Sequence, residues 1–305
     1  MKDRLLLIDA NSLIHRAFHA LPNFKMPSGE PSGALYGLMS MLIRVLRENP
    51  PRYAAAAFDT PEPTFRKKEY KEYKATRSPA VSDLISQLKE ADKLFSAFGI
   101  KSFKAPGFEA DDIVATLAER FAGVDNLQVV ILSGDLDTLQ MVSGDKIVVE
   151  FPKKGISQTV IYDDARVKER FDVKPSELKD YKGLAGDSSD NIPGVPGIGP
   201  KTAAKLINKY GPLEKMYKEI EEIGMTDEKL RKKLIEYKDQ ALLSKRLATL
   251  VTNVPVEVLL DEIETAKLFD KKDALAYAKY LGSETLTSRI ENDLPKRYNS
   301  KEKSK

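Results

Sequence analysis

Short, almost uninterrupted apolar runs alternate along this chain with segments whose apolar residues recur every three or four positions. Arg4–Asp9, Tyr53–Phe58, Ile100–Lys104, Gln128–Leu132, Lys146–Phe151 and Thr159–Tyr162 are of the first kind and predict strands. Ser12–Leu21, Leu35–Leu46, Ser82–Phe98 and the stretch from Ile113 to Phe121 have helical spacing, and Asp163 is placed to cap a helix ending at Phe171. Alternating strands and helices predict an α/β fold, a mostly parallel sheet with helices on both faces, where ligands gather beyond the carboxyl ends of the strands. After Pro175 the pattern is helical only: Ser176–Ala185, Lys201–Tyr210, Pro212–Glu222, Asp227–Leu250 and Thr265–Leu281. The expected organisation is a sheet domain over 1–175 with an insertion at 61–99, an all-helical domain over 176–291, and a basic, unstructured tail over 292–305.

Composition narrows the chemistry. The chain has 305 residues, 42% of them hydrophobic, enough for a sizeable core, and no apolar run approaches a membrane span. A cytoplasmic protein that does not enter membranes is expected. There is no cysteine and there are only two histidines, so thiolate sites are excluded and any metal must be a hard cation held by oxygen. His15 and His19 share a helical face, but without a third histidine their spacing reads as packing. The net charge of +3 predicts no polyanion partner by itself; what matters is where the charges cluster.

The acids cluster first. Asp9, Asp59 and Asp135 each follow an apolar run, and Glu109, Asp111 and Asp112 open the helix of GFEADDIVATL. Singly, each is an ordinary cap or turn residue, and Asp135-Leu-Asp137 alone is a weak ligand pair. Their recurrence at strand ends predicts convergence on one cleft, where like charges would repel and hold protons unless divalent ions neutralised them. Asp187 and Asp190 lie just before the Gly-rich hairpin, so one segment can join that cleft to it.

The cations cluster elsewhere. Thr64–Arg77 carries Arg66, Lys67, Lys68, Lys71, Lys74 and Arg77 against Glu69 and Glu72, with Phe65, Tyr70 and Tyr73 interleaved. Cations for phosphates and rings for unpaired bases suit a single nucleic-acid strand; the other reading is a solvated helical face. In the second half Gly197-Ile-Gly199 precedes Pro200 and a helix bearing Lys201 and Lys205, a turn suited to gripping a DNA backbone without reading its sequence.

LIDANSLIHRAFHAL, AAFDTPEPTFRKKEYKEYKATR, GFEADDIVATL, ILSGDLDTLQ and GDSSDNIPGVPGIGPKTAAKLI, in this order, resemble the 5′-nuclease family: the 5′-nuclease domain of bacterial DNA polymerase I with its phage and flap-endonuclease relatives. The likeness extends to about Leu281. It implies a PIN-like sheet domain, a helical arch over the active site and a helix-three-turn-helix domain that grips duplex DNA. It implies that Asp9, Asp59, Glu109, Asp111, Asp112, Asp135, Asp137, Asp187 and Asp190 hold metal, that Asp111 and Asp137 are catalytic, that Lys74 and Arg77 approach the scissile phosphate, and that Tyr73 stacks on a base. Arg66, Lys67, Gly197, Gly199, Lys201 and Lys205 are the further DNA contacts expected, and Val195 and Ile198 would offer carbonyls to a potassium ion. Two Mg2+ ions, with Mn2+ as the alternative, would stand about 4 Å apart, Glu109 and Asp111 serving one with Asp9 and Asp59 near it, and Asp135, Asp137, Asp187 and Asp190 the other. The expected activity is hydrolysis of phosphodiester bonds at 5′ ends and flaps in replication and repair, by a monomer near the nucleoid, fused to or working with a DNA polymerase. A non-catalytic DNA-binding module and a PIN-type ribonuclease are the alternatives; the complete set of acids speaks against the first and the hairpin against the second.

Overall fold

The computed structural model describes residues 2–21, 24–154, 158–222 and 227–296. Its strands are β1 (Asp3–Asp9), β2 (Tyr53–Phe58), β3 (Lys101–Lys104), β4 (Leu127–Leu132), β5 (Ile147–Lys154) and β6 (Gln158–Tyr162), arranged β3-β2-β1-β4-β5-β6. All neighbours are parallel except β5 and β6. The order reverses between β1 and β4, and a crevice opens at such a switch point. Asp9 ends β1 there, and Ile8 pairs with Leu132, the last residue of β4.

The strands read as apolar runs because both sheet faces are covered. Helices α1 (Ala10–Ala20), α2 (Gly33–Glu48), α3 (Phe65–Glu69), α4 (Ser82–Ala97), α5 (Ala110–Phe121) and α6 (Asp164–Phe171) occupy the first half. Leu6, Ile8, Ala54 and Ala56 pack with α1, α2 and α4, whereas Leu5, Leu7, Ala55 and Ala57 pack with α5, as the two-residue period of a strand requires. The insertion is helical at its ends, α3 and α4, with turns and extended chain over 70–81 between them.

The second half contains α7 (Leu178–Ala185), α8 (Pro200–Tyr210), α9 (Leu213–Glu222), α10 (Glu228–Glu236), α11 (Lys238–Ala248), α12 (Thr265–Leu268), α13 (Lys271–Tyr280) and α14 (Glu284–Asp293). Two expected helices are divided. Asp227–Leu250 breaks at Tyr237, and Thr265–Leu281 breaks before Asp270, whose carboxylate caps α13 at the Lys272 amide. Helices α7–α11 extend the core on the α5 face through Leu178, Leu206, Leu213, Met216 and Leu234.

The expected helical unit over 176–291 is not continuous in space. Ala274, Ala278, Leu286 and Ile290 bring α13 and α14 back to the opposite face, against α2 and α4. Nor does an unstructured tail begin at Asn292. Leu286, Ile290 and Leu294 form one apolar stripe, so α14 runs to Asp293 and Leu294 is buried, its carbonyl held by Lys271 Nζ at 2.6 Å. Residues 297–305 of that expected tail lie outside the described residues. Among the described residues no helix is long and apolar enough to cross a membrane.

Candidate active site

Each element at the crevice ends in an acid that also shapes its own turn. Asp9 caps α1 by accepting from the Ser12 amide at 3.2 Å, and its other oxygen accepts from Ser133 Oγ at 2.7 Å. Ser12 Oγ in turn takes the Gly134 amide at 2.9 Å, which ties the end of β1 to the loop after β4. Asp135 accepts from the Asp137 amide at 2.9 Å and opens a 3-10 turn over Leu136–Met141. Asp59 accepts from the Ala110 amide at 2.7 Å, while its own amide donates to Asn11 Oδ1 at 3.0 Å. Capping and convergence are thus two consequences of one placement.

Asp9, Asp59, Glu109, Asp111, Asp135, Asp137 and Asp187 line one cavity of about 930 Å3, in which Lys74, Arg77 and Lys182 are the only lysines and arginines among the described residues. Seven carboxylates against three such cations leave surplus negative charge. Burial pushes the Asp9 carboxyl up to about 6, against the hydrogen bonds from Ser133 and Ser12. It raises Asp59 and Asp135 as well, and it holds Asp111 well above the usual range with help from the charges of Glu109 and Asp112. Asp187 goes the other way, to about 2, because Lys182 and Ser189 outweigh its burial. The Oδ1 of Asp111 is buried with no hydrogen-bond partner. An orphaned hard oxygen among carboxylates of raised pKa is a donor set that fits divalent cations. Among the described residues no three acidic or histidine groups already close on a single point, and several of the acids are paired with basic side chains.

Those basic groups are specific. Lys74 Nζ donates to Glu109 Oε2 at 2.9 Å, and Arg77 Nη2 donates to Asp190 Oδ1 at 2.5 Å. The Lys74 pKa is raised despite burial, chiefly by Glu109 and then by Asp190. Lys182, on α7, bridges Asp137 and Asp187. The sequence reading missed it: a lysine five positions before an aspartate on an amphipathic helix looks like any surface lysine. His15 and His19 line the cavity too, and burial, then His19 and Arg77, lower the pKa of His15.

Four expected site residues, Asp112, Arg66, Tyr73 and Asp190, are placed differently. Asp112 is fully buried and does not line the cavity; the fork of Arg66 and two backbone amides, Glu109 and Val251, take its oxygens. Arg66, expected on DNA, is 1% exposed because Asp112 and the Leu247 and Thr249 carbonyls draw it inward. Tyr73, expected to stack on a base, is 3% exposed, its hydroxyl 3.1 Å from both Glu109 Oε2 and Asp190 Oδ2. Asp190 therefore meets the cleft through Tyr73 and Arg77 and does not line the cavity. Lys67 is exposed, yet its ammonium holds the Lys71 and Tyr73 carbonyls at 2.5 and 3.0 Å.

The hairpin adjoins this loop. Asp187 and Ile192 exchange backbone hydrogen bonds of 2.9 and 2.8 Å, fixing the turn that carries Asp187 and Asp190. Val195 and Ile198 are buried and the Ile198 amide donates to the Val195 carbonyl at 3.0 Å, whereas Gly197 and Gly199 are exposed. Pro200 opens α8, from which Lys201 and Lys205 face solvent. Gly194, at φ 60°, packs so closely on Gly186 that a methyl group would stand 2.3 Å from the Gly186 nitrogen. Gly194→Ala is therefore expected to destabilise the chain by at least about 2 kcal/mol in a urea titration, through backbone strain and overlap together. An unchanged midpoint would refute this close packing.

Comparison with known proteins fits this geometry. Residues 4–172 match the family model "5'-3' exonuclease, N-terminal resolvase-like domain", and residues 173–271 match "5'-3' exonuclease, C-terminal SAM fold". DNA polymerase I of Bacillus subtilis is 40% identical over 292 residues, 96% of this chain and 33% of that one. DNA polymerase I of Mycobacterium tuberculosis (strain H37Rv) is 40% identical over 258 residues, 84% of this chain and 28% of that one. The chain thus spans about a third of the length of the curated relatives it matches. Among solved structures, T5 5′-exonuclease with bound zinc superposes with a TM-score of 0.66 at 20% identity, covering 95% of this chain and 98% of that one. The catalytic core of Rad2 with a DNA substrate gives 0.60 at 20% identity, covering 95% and 91%. At such identity the structures establish the shared fold, and the two family matches, contiguous over sheet and helical halves, establish the lineage: this chain belongs to the 5′-3′ exonuclease family.

Proposed function

We propose that the chain is a structure-specific 5′ nuclease that hydrolyses phosphodiester bonds at or near 5′ ends and flaps of duplex DNA, in replication and repair. The observation that carries this reading is one cavity at the switch point of the sheet, lined by seven carboxylates from five places in the chain. Asp9, Asp59, Glu109 and Asp111 as one set, and Asp135, Asp137 and Asp187 as the other, would hold two Mg2+ ions, or Mn2+ in their place. When bound, such ions lower the pKa of an attacking water and offset charge on the departing oxygen. The chain's own work is to orient the phosphate: Lys74 and Arg77, which line the cavity, would offset charge as it develops on it. Exposed Lys201 and Lys205, with the Gly197–Gly199 turn, suit the backbone of the duplex, and a potassium ion at the Val195 and Ile198 carbonyls belongs to the same reading. We also infer a cytoplasmic, nucleoid-associated monomer that works with or within a DNA polymerase, because its relatives of this length of match bear that name.

The test is a labelled 5′ flap, nick and gap in Mg2+, with RNA counterparts alongside. Release of the 5′ strand from DNA, abolished by a chelator, supports the reading. Binding without cutting would leave a DNA-binding module, and preference for RNA would point to a ribonuclease. Lys74→Ala is expected to slow single-turnover flap cleavage about 100-fold, with flap affinity nearly unchanged. Loss confined to affinity would remove Lys74 from the reacting phosphate.

A further inference from the structure

Beneath the cleft lies an ion pair that lines no part of the cavity. Arg66 Nη1 and Nη2 each reach one oxygen of Asp112 at 2.7 Å, a planar fork on a carboxylate, with both residues buried. The remaining donors are used as well: Nε on the Leu247 carbonyl and Nη2 on the Thr249 carbonyl, both at 2.8 Å, and Nη1 towards Glu109 Oε2 at 3.4 Å. Asp112 uses its own spare capacity on the Val251 amide at 2.9 Å and the Glu109 amide at 3.2 Å. One pair thus grips α3, the first turn of α5 and the segment leaving α11.

From this geometry we infer that Arg66 and Asp112 are positioning residues, which set how Glu109 and Asp111 present their oxygens to divalent cations. Glu109 is held at both its amide and its carboxylate. Asp111 sits between the two clamped residues, about 100° around the helix from Asp112, so fixing its neighbours aims its side chain at the cavity. Burying an ion pair is a poor way to add stability, since apolar residues of like volume commonly serve as well. What apolar residues cannot supply is the fixed fork that locks two carboxylate oxygens and an amide in one arrangement. Supports of this kind govern metal affinity without touching the metal.

The inference rests on the reading that Glu109 and Asp111 hold ions, and its test separates the two. Calorimetric Mn2+ titration of the full chain without DNA is the readout, so cleavage is not needed. Arg66→Met/Asp112→Leu is expected to remain folded with a lower melting temperature, because the Val251 and Glu109 amides and the Leu247 and Thr249 carbonyls lose their partners, and to bind Mn2+ about tenfold more weakly at a temperature where it is fully folded. Arg66→Lys, which keeps the charge but loses the fork, gives the same loss independently. In flap cleavage both shift the Mg2+ dependence to higher concentration, while KM for DNA stays within twofold and kcat recovers at saturating Mg2+. Variants that bind Mn2+ as the unaltered chain does overturn the positioning role alone. An unaltered chain that binds no Mn2+ overturns the metal reading and the positioning role together.

Discussion

Asp111→Asn is expected to lower flap cleavage in saturating Mg2+ by about 1,000-fold or more, with DNA affinity in Ca2+ nearly intact. The substitution preserves shape and removes the charge from a carboxylate whose Oδ1 is buried without a partner. A group that burial, Glu109 and Asp112 all push towards protonation is poorly stabilised in the metal-free fold. Neutralising it therefore leaves metal-free stability unchanged or slightly higher. Asp112→Asn makes the contrast. It breaks a closed pair and leaves the buried Arg66 guanidinium without its carboxylate counter-charge, a change that costs about 3–5 kcal/mol. Opposite signs of stability change at adjacent aspartates, read by urea denaturation, separate a cleft ligand from a structural anion. Asp137→Asn should follow Asp111→Asn in activity, and substantial turnover by either variant would sink the assignment of the cleft.

Thermal stability in a chelator should fall as pH rises from 5.5 to 8, and Mg2+ should restore it at pH 8 far more than at pH 5.5. The folded chain holds the Asp9 carboxyl at about 6, chiefly by burial, against 3.8 for the free group. Folding is thus favoured while Asp9 is protonated, fully so below the unfolded pKa, and that contribution is lost as pH passes through about 6. At about 1.36 kcal/mol per unit the whole loss from Asp9, spread from the free carboxyl value up to about 6, is roughly 3 kcal/mol, of which a little under about 1 kcal/mol falls above pH 5.5, and Asp59, Asp111 and Asp135 are shifted the same way. His15, lowered by burial, opposes the trend as pH falls, and Asp187 matters only below the usual carboxylate range. Subtracting the pH profile of Asp9→Asn isolates the main contribution. A flat difference profile, or equal protection by Mg2+ at both pH values, would contradict it.

The strands were readable because both sheet faces are covered, which turns each into an apolar run. Acids at strand ends could be named for the same reason: a parallel sheet sends them to one edge. Capping and ligand placement had looked like rival readings of Asp9 and Asp135, yet hydrogen bonds to the Ser12 and Asp137 amides coexist with their place in the cavity. What adjacency in sequence could not separate was Asp111 from Asp112. That choice depends on helix phase and on Arg66, a partner 46 positions away. Arg66 and Tyr73 had the composition of a nucleic-acid face; Asp112 and two carbonyls at the end of α11 draw Arg66 inside, and the docking of 70–77 against the Asp187–Ile192 turn encloses Tyr73, through the Lys74 amide to the Asp190 carbonyl at 2.9 Å and Asn191 to the Glu72 carbonyl at 2.7 Å. Lys182 carried no local signal. The turn of α13 and α14 to the far face was equally hidden, since an amphipathic stripe shows that a face is buried and not against which neighbour.

That return of α13 and α14 has a consequence for synthesis on the ribosome. Leu38, Leu42 and Phe95 share their apolar layer with Ala278, Leu286 and Ile290, so the layer made first stays open until α13 and α14 have been translated. The stretch from α7 to α11, enclosed between these two parts in sequence, packs on the other side and can complete its own contacts while the earlier layer waits. Within these residues the surface made first thus closes after the one made later.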